Sequence, residues 1–192
     1  MKIIIFDLDG TLVDNEVSFD EMRQRIAKRL NIPKNELDPL YEKLISLNLP
    51  DGLKILSEEE MRRAEHSRFK YGLSDLFEFL RQRRIKIAVL TRNCRKATLK
   101  ALGYLSSGID VMITRDDGYK LKPSPEGIFA ILNRFAILPK DALMVGDYDF
   151  DIEAGRLAGC KTVRMGTGFA DFNVRNLEEL KYLIKKLEEK IE

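Results

Sequence analysis

Short apolar runs alternate with amphipathic segments over much of this 192-residue sequence. Five runs have the near-continuous apolar character of strands buried on both faces. They lie at residues 2–6, 85–90, 109–114, 142–146 and 161–165. Segments with helical length and spacing lie before or between the later runs, at residues 74–83, 95–102, 125–135 and 151–158. This alternation predicts right-handed βαβ units, and therefore an α/β protein with a Rossmann-like parallel sheet.

The stretch from Val17 to about Tyr71 departs from this alternation, because it has no strand-like run and shows helical periodicity in three pieces. Pro33 and Pro50 lie near the boundaries of the second piece. Apolar positions mark the first two pieces: Phe19, Met22, Ile26, Leu30, Leu37, Leu40, Tyr41, Leu44 and Leu47. A third, more polar piece begins at Ser57 to Glu60. The pattern predicts a small all-helical cap, residues 16–71, inserted after the first strand of a core formed by residues 1–15 and 72–192.

The C-terminal segment has the pattern of one more helix. Asn176 and Glu179 resemble a capping box at its start. Apolar residues then recur at helical spacing, at Leu177, Leu180, Leu183, Ile184, Leu187 and Ile191. We expect this apolar stripe to lie on the sheet.

Composition and charge narrow the classes of partner. Hydrophobic residues make up 44% and charged residues 33%, which is typical of a globular protein. The 33 basic and 31 acidic residues are scattered, so nothing suggests a nucleic-acid-binding arm.

No apolar run approaches the ~20 residues that span a bilayer, and residues 1–6 are too short for the apolar part of a signal peptide. Cys94 and Cys160 are too few for a disulfide framework or a zinc site. We therefore expect no membrane partner and a cytoplasmic location.

Polar side chains follow four of the predicted strands. Asp7 and Asp9 come after the first strand, and the others are Thr91 to Asn93, Lys120 to Pro123, and Asp147 to Asp151. A lone Asp at such a position is often an ordinary turn residue. Ligands of parallel sheets, however, bind beyond the carboxyl ends of the strands, where these groups would meet. Phosphoryl transfer requires this combination of a nucleophile, a metal to neutralise phosphate, and donors for its oxygens.

These motifs, in this order, resemble the haloacid dehalogenase superfamily and its phosphatase branch, including members similar to phosphoglycolate phosphatase and β-phosphoglucomutase. The matching positions are Asp7 and Asp9 for the first motif, Thr91 for the second, Lys122 for the third, and Asp147 with Asp151 for the fourth. The resemblance implies that Asp7 is a nucleophile that becomes phosphorylated and that Asp9 is the general acid and base. Because true dehalogenases lack the second Asp, Asp9 indicates phosphate chemistry.

The candidate metal ligands are all oxygen donors, and no His or Cys cluster suggests zinc, so we expect Mg²⁺. The resemblance implies ligation by an Asp7 oxygen, the backbone carbonyl of Asp9 and Asp147, with Asp151 at the edge of the metal shell. The candidate substrate-binding residues are Gly10, Thr91, Arg92, Asn93 and Lys122. Among them Thr91 and Lys122 are also implied to be catalytic, since they would bind phosphate oxygens.

Several residues have two interpretations. Arg92 departs from the family pattern, and it is either a surface residue or a group that reads a substrate anion. The same two interpretations apply to the cap residues Arg62, Arg63, Arg68 and Lys70, for which a solvated helix face is the usual one. His66 is expected at the surface, and both cysteines are expected in the core.

The leading hypothesis is a Mg²⁺-dependent phosphoric monoester hydrolase for a small-molecule phosphate ester, acting as a monomer or homodimer. A sugar phosphomutase resembling β-phosphoglucomutase would use the same Asp7 and Asp9 but return the phosphoryl group to the substrate. A phospho-signalling receiver domain has its phosphorylated Asp after the third strand, which is the wrong order here. A noncatalytic metabolite-binding protein is disfavoured by the complete motif set.

Overall fold

The computed structural model describes residues 1–49 and 51–189. Its strands are β1 Ile3–Phe6, β2 Val13–Asn15, β3 Ser67–Phe69, β4 Lys86–Leu90, β5 Val111–Ile113, β6 Ala142–Gly146, β7 Lys161–Met165 and β8 Phe172–Val174. Six of them form a parallel sheet in the order β5-β4-β1-β6-β7-β8. The strands β2 and β3 form a separate antiparallel ribbon. The first strand of the chain therefore lies between β4 and β6, in the middle of the sheet.

Helices cover both faces of the sheet. Their bounds are α1 Phe19–Leu30, α2 Leu40–Ser46, α3 Gly52–Glu65, α4 Leu73–Gln82, α5 Arg95–Leu102, α6 Glu126–Arg134, α7 Asp149–Leu157 and α8 Leu177–Glu189. Helices α4, α5 and α8 pack against one face, and α6 and α7 pack against the other. The prediction of an α/β protein with a Rossmann-like parallel sheet is confirmed.

Strand β1 shows why the sequence forms this layer. All four of its residues, Ile3, Ile4, Ile5 and Phe6, are fully buried. Because side chains alternate along a strand, Ile4 and Phe6 join the hydrophobic cluster on one face and Ile3 and Ile5 join the cluster on the other. A continuous apolar run is thus the signature of a strand covered on both sides.

Helices α1, α2 and α3 pack around a third hydrophobic cluster of their own, which includes Met22, Ile26, Leu40, Leu44 and Leu56. Helix α1 begins with a capping box, in which Ser18 and Glu21 each accept a hydrogen bond from the other's backbone N–H. The predicted first and second helical pieces correspond to α1 and α2. A separate small core of this kind is what an inserted cap requires.

The structure corrects the sequence prediction in three places. The third helix of the insertion begins at Gly52 rather than near Ser57. The segment predicted to be all-helical also contains β3, which is held by pairing with β2 across the predicted boundary of the cap. Strands β2 and β8 were not predicted either. The three missed strands have three residues each, too few for a periodic pattern to develop.

The division into residues 16–71 and the remainder of the chain stays a prediction. Pro50 and Ile191, which were assigned to a boundary and to the last apolar stripe, lie outside the described residues. Within the described part of the chain, no helix is both long enough and apolar enough to traverse a lipid bilayer.

Candidate active site

The ammonium group of Lys122 lies at the centre of the site and is almost completely buried. Its Nζ donates to Asp7 Oδ1 at 2.5 Å, to Asp151 Oδ1 at 2.6 Å and to the carbonyl oxygen of Leu90 at 2.8 Å. An ammonium has three donors, so all of them are used. Burial lowers the pKa of Lys122, but the two carboxylates outweigh that effect and raise the pKa above its ordinary value. The side chain is therefore a permanent buried cation.

Three carboxylates surround this cation. Asp7, Asp147 and Asp151 each offer an oxygen, and these oxygens lie within 4.8 Å of one another. Burial raises the pKa of Asp7 well above its ordinary value, although Lys122 acts in the opposite direction. Burial and the neighbouring Asp151 likewise raise the pKa of Asp147 to about 6. Since Lys122 pairs with Asp7 and Asp151 but not with Asp147, the three carboxylates have one ammonium between them and exceed it in charge.

This donor set fits Mg²⁺, which prefers oxygen ligands and carboxylates in particular. The second oxygen of Asp151 accepts the Tyr148 N–H at 3.1 Å, which fixes the carboxylate near the start of α7. A divalent cation would offset the repulsion among the carboxylates, which adds to the effect of burial in raising the pKa values of Asp7 and Asp147. Asp9, the fourth candidate ligand, does not contribute its carboxylate to this cluster.

Gly10 is required by the approach of Asp147. A Cβ atom at Gly10 would lie 2.2 Å from Asp147 Oδ2, and the residue has a φ of +73°. Both facts exclude a side chain, because non-glycine residues rarely adopt positive φ and no Cβ tolerates so short a contact. The glycine therefore lets the first motif turn directly beneath the carboxylate of the fourth motif.

The Asp9 carboxylate is held by amide groups. Asn15 Nδ2 donates to Asp9 Oδ1 at 2.6 Å, and Asn93 Nδ2 donates to Asp9 Oδ2 at 2.8 Å. The guanidinium of Arg63 in α3 lies 3.5 Å from the same Oδ2. Asp9 thus receives contacts from its own loop, from the end of β4 and from the inserted helices.

Arg63 corrects the sequence prediction. It is buried, and its Nε donates to the carbonyl oxygen of Val17 at 3.0 Å, so it does not belong to a solvated helix face. Arg62 and Arg68 are exposed as predicted. Lys70 is partly buried and pairs with Asp14. Asn15 was also missed, because it lies at the predicted boundary of the cap, where an Asn is common in turns and gives no separate signal.

The two residues that follow β4 have different environments. Thr91 is buried, and its hydroxyl oxygen accepts the Asn93 N–H at 3.2 Å. The hydroxyl proton of Thr91 thus remains available for another acceptor. Arg92 Nη2 donates to both carboxylate oxygens of Glu42 in α2, at 2.8 Å each. Its Nη1 donates to the carbonyl oxygen of Lys122. Arg92 is therefore a paired, half-buried residue between the insertion and the core.

A buried ion pair also joins the insertion to the core. Glu60 in α3 accepts from Arg115 Nη1 and, at 2.9 Å, from the Cys94 N–H. Arg115 Nη2 donates to Ser57 Oγ at 3.0 Å. Burial raises the pKa of Glu60, and Arg115 opposes this. No sequence pattern predicts this pair, because its partners are 55 residues apart and charged residues are common on exposed helices.

The histidine, the two cysteines and Asp149 take no part in the cluster of carboxylates around Lys122. His66 is exposed, and Cys94 and Cys160 are buried, as expected. Burial raises the pKa of Cys94 and raises that of Cys160 to about 11, so neither thiol is activated as a nucleophile. Asp149 is the first residue of α7 and pairs with Arg164.

A cavity of about 620 Å³ opens above the carboxylates, between the insertion and the ends of the strands. Its lining includes Asp7, Asp9 and Lys122 from the core, and Phe19, Tyr41 and Arg63 from the insertion. Every residue predicted to take part in catalysis, substrate binding or metal binding lines this cavity: Asp7, Asp9, Gly10, Thr91, Arg92, Asn93, Lys122, Asp147 and Asp151. A volume of this size is typical of small-molecule sites.

A model of the haloacid dehalogenase-like hydrolase family matches residues 4–165, which is most of the chain. The chain belongs to this family. The resemblance predicted from the motifs is thereby confirmed, and the protein is an enzyme of a hydrolase family.

The chain is similar to several proteins that are named phosphatases. It is 28% identical over 183 residues to a phosphorylated carbohydrates phosphatase of Thermotoga maritima, covering 85% of this chain and 84% of that protein. It is also 28% identical over 197 residues to a phosphoglycolate phosphatase of Aquifex aeolicus, covering 90% and 88%. The crystal structure of a HAD phosphatase from Thermococcus onnurineus superposes with a TM-score of 0.70 at 26% identity, covering 96% and 98% of the two chains.

The first prediction concerns Gly10. Gly10→Ala should weaken Mg²⁺ binding about tenfold or more, because the added methyl group displaces the Asp147 carboxylate. Gly118→Ala is the matched control, since Gly118 has a similar φ of +79° but open space around its missing side chain. Isothermal titration calorimetry with Mg²⁺ measures both variants. Equal affinities would show that the close approach to Asp147 does not matter for the cation.

The second prediction concerns pH. Because the pKa of Asp147 is raised to about 6, this carboxyl group gains a proton as pH falls through that value and can no longer ligate a cation. Mg²⁺ affinity should therefore fall by about tenfold for a pH one unit below this pKa. Calorimetric titrations at several pH values between 5 and 8 test this. A pH-independent affinity over that range would contradict the assignment of Asp147 as a ligand.

Proposed function

We propose that this hydrolase is a Mg²⁺-dependent phosphatase that cleaves small phosphate monoesters through a phosphoaspartate formed on Asp7. The observation that carries the proposal is the pairing of Asp7 with the buried Lys122, beside two further carboxylates and at the floor of a cavity. A nucleophile, a permanent cation and a cation-binding cluster thus lie together where phosphate would enter. The predicted cytoplasmic location and the predicted cap at residues 16–71 belong to the same proposal.

Asp7 is the proposed nucleophile. Lys122 occupies Asp7 Oδ1, and among the described residues no donor contacts the other oxygen of the carboxylate. That oxygen forms a bond to phosphorus while the ester bond to the leaving oxygen breaks. Asp7, Asp147, Asp151 and the carbonyl of Asp9 would hold Mg²⁺, which supplies positive charge against the repulsion between the phosphate and the nucleophile.

Asp9 is the proposed general acid and base. As the ester bond breaks, Asp9 gives a proton to the leaving oxygen, so that an alcohol departs. In the second step Asp9 takes a proton from water, the water oxygen bonds to phosphorus, and the bond from phosphorus to Asp7 breaks. Inorganic phosphate is released and Asp7 is regenerated. The contacts of Asp9 with Asn15, Asn93 and Arg63 support this role, because they hold the carboxylate in one place for both proton transfers.

Thr91 is the proposed donor to a phosphate oxygen, and Lys122 is proposed to act on the phosphate through its charge, since its three hydrogens already bind protein oxygens. The hydroxyl oxygen of Thr91 already accepts a backbone N–H, which leaves its proton free to be donated. Lys122 places its charge beside the attacking carboxylate, where negative charge on the phosphoryl group must be stabilised. Gly10 and Asn93 line the same part of the cavity and are the further candidates for phosphate contact.

The size of the cavity supports a small metabolite as substrate. A volume of about 620 Å³, much of it covered by the inserted helices, suits a small ester better than a phosphate on a folded protein. The phosphatases of Thermotoga maritima and Aquifex aeolicus named above support hydrolysis as the reaction. A phosphomutase would need the same Asp7 and Asp9, and release of inorganic phosphate without any bisphosphate activator distinguishes the two reactions.

The third prediction tests the nucleophile. Asp7→Asn should reduce phosphate release by at least about a thousandfold, because the neutral amide is a poor nucleophile. Phosphate release from para-nitrophenyl phosphate and sugar phosphates with Mg²⁺ present is the assay, and circular dichroism reports whether the variant is folded. Asp149→Asn is the control, since Asp149 is an exposed carboxylate that lies between the fourth-motif residues but outside the cavity. A folded Asp7→Asn variant with near-normal turnover would overturn the proposal.

A further inference from the structure

The cations of the cavity are already paired. Five cationic side chains line it, and within residues 1–49 and 51–189 each has a carboxylate partner. The pairs are Arg23 with Asp38 at 3.3 Å, Arg63 with Asp9 at 3.5 Å, Arg92 with Glu42 at 2.8 Å, Arg115 with Glu60, and Lys122 with Asp7 at 2.5 Å. A substrate anion other than the reacting phosphate would have to displace one of these carboxylates.

The cavity is also acidic as a whole. Eight carboxylates line it against the five cations. Two of these carboxylates, Asp14 and Asp20, pair with lysines outside the lining, at 2.5 Å and 2.9 Å. Among the described residues, the remaining six acids exceed the five cations, and a bound Mg²⁺ would be matched by the two charges of the phosphate. A second anionic group on the substrate therefore meets repulsion, and each cation already has a carboxylate partner. The one cavity-lining cationic nitrogen that is buried without a hydrogen-bond partner among the described residues is Arg23 Nε.

Arg92 shows the pairing most clearly. It follows Thr91 directly, so it is placed to contact the part of the substrate next to the phosphate. Its Nη2 contacts both oxygens of Glu42, its Nη1 contacts the Lys122 carbonyl, and its guanidinium lies 4.9 Å from the centre of the Phe150 ring. A two-oxygen contact of this kind is the one a substrate carboxylate would make. Glu42 occupies that position from within the chain.

Aromatic side chains supply much of the remaining wall. Phe19 and Tyr41 line the cavity from the insertion, and Tyr148 and Phe150 line it from the segment after β6. The Tyr148 and Phe150 rings lie edge to face, 5.2 Å apart, and Tyr148 is 59% exposed. Such rings offer apolar faces together with hydroxyl groups, which suit an uncharged polyhydroxyl group better than a carboxylate.

We propose that the substrate is a phosphate ester of an uncharged polyol or sugar, and that the pairing of Glu42 with Arg92 excludes esters that carry a carboxylate. This inference rests on the proposed phosphatase function and specifies the leaving group. Glu42 is a specificity-determining residue in this account: it acts by occupying Arg92, and it does not line the cavity itself.

The test compares substrates that differ in one carboxylate. Suitable pairs are glucose 6-phosphate with 6-phosphogluconate, glycerol 3-phosphate with 3-phosphoglycerate, and 2-hydroxyethyl phosphate with 2-phosphoglycolate. With Mg²⁺ present, kcat/KM should be at least about tenfold higher for the uncharged member of each pair, because the acid meets repulsion where each cation already has a carboxylate partner. Equal or higher values for the acids would overturn the inference. Failure to release phosphate from any ester, including para-nitrophenyl phosphate, would instead overturn the phosphatase proposal.

A variant tests the role of Glu42. Glu42→Gln keeps the size of the side chain but removes its charge, so Arg92 becomes available to a substrate carboxylate. The ratio of kcat/KM for the acid to that for the uncharged ester should rise about tenfold. Glu58→Gln is the control, because Glu58 is an acidic residue of α3 that pairs with Arg29 outside the cavity. If the Glu42→Gln ratio equals that of Glu58→Gln and the unaltered enzyme, Glu42 does not set the specificity.

Discussion

The buried ammonium of Lys122 is the interaction on which the arrangement of the site depends. Its three hydrogens go to Asp7 after β1, to the carbonyl oxygen of Leu90 at the end of β4, and to Asp151 in α7. Removing an ammonium from water is costly, and only full pairing of this kind offsets the cost. The same contacts hold two carboxylates together that would otherwise repel each other. Because β1 lies between β4 and β6, the three segments end at one edge of the sheet and can share one lysine.

The inserted helices form ion pairs with the core in addition to covering the site. Arg63 reaches Asp9, Glu42 reaches Arg92, and Glu60 reaches Arg115, so both signs of charge cross from the insertion to the core. Each of these pairs lies at or beside the cavity. The groups that hold the insertion on the core are therefore the groups that a substrate would meet. This overlap is the reason why contacts with the insertion bear on the choice of substrate.

The sequence predicted the core well because the core obeys local rules. Continuous apolar runs such as residues 3–6 belong to strands buried on both faces, and the polar residues that follow them meet at one edge. The insertion was harder to predict. Arg63 was assigned to a solvated face because charged helical residues are usually exposed, and its contact with Asp9 depends on the docking of two distant segments. The short strand β3 is held by its partner β2 and leaves no pattern of its own.

The partner of Arg92 could not be predicted for the same reason, because it lies in a distant segment of the chain. The position of Arg92 after Thr91 allowed either a surface role or the recognition of an anion, and the sequence could not reveal that Glu42, fifty residues away, would be its partner. Local sequence therefore identified the groups of the reaction, whereas their pairing became visible in the folded chain. Specificity depends on this pairing, because a cation that is already neutralised does not attract a substrate.

The central claim is that Asp7 receives the phosphoryl group, and trapping the intermediate tests it most directly. The enzyme would be mixed with Mg²⁺ and a hydrolysed sugar phosphate, quenched in acid within one turnover, digested, and mapped by tandem mass spectrometry. The account predicts one added phosphoryl group on the peptide that contains Asp7, at the Asp7 carboxylate. A phosphoryl group on any other residue would contradict it.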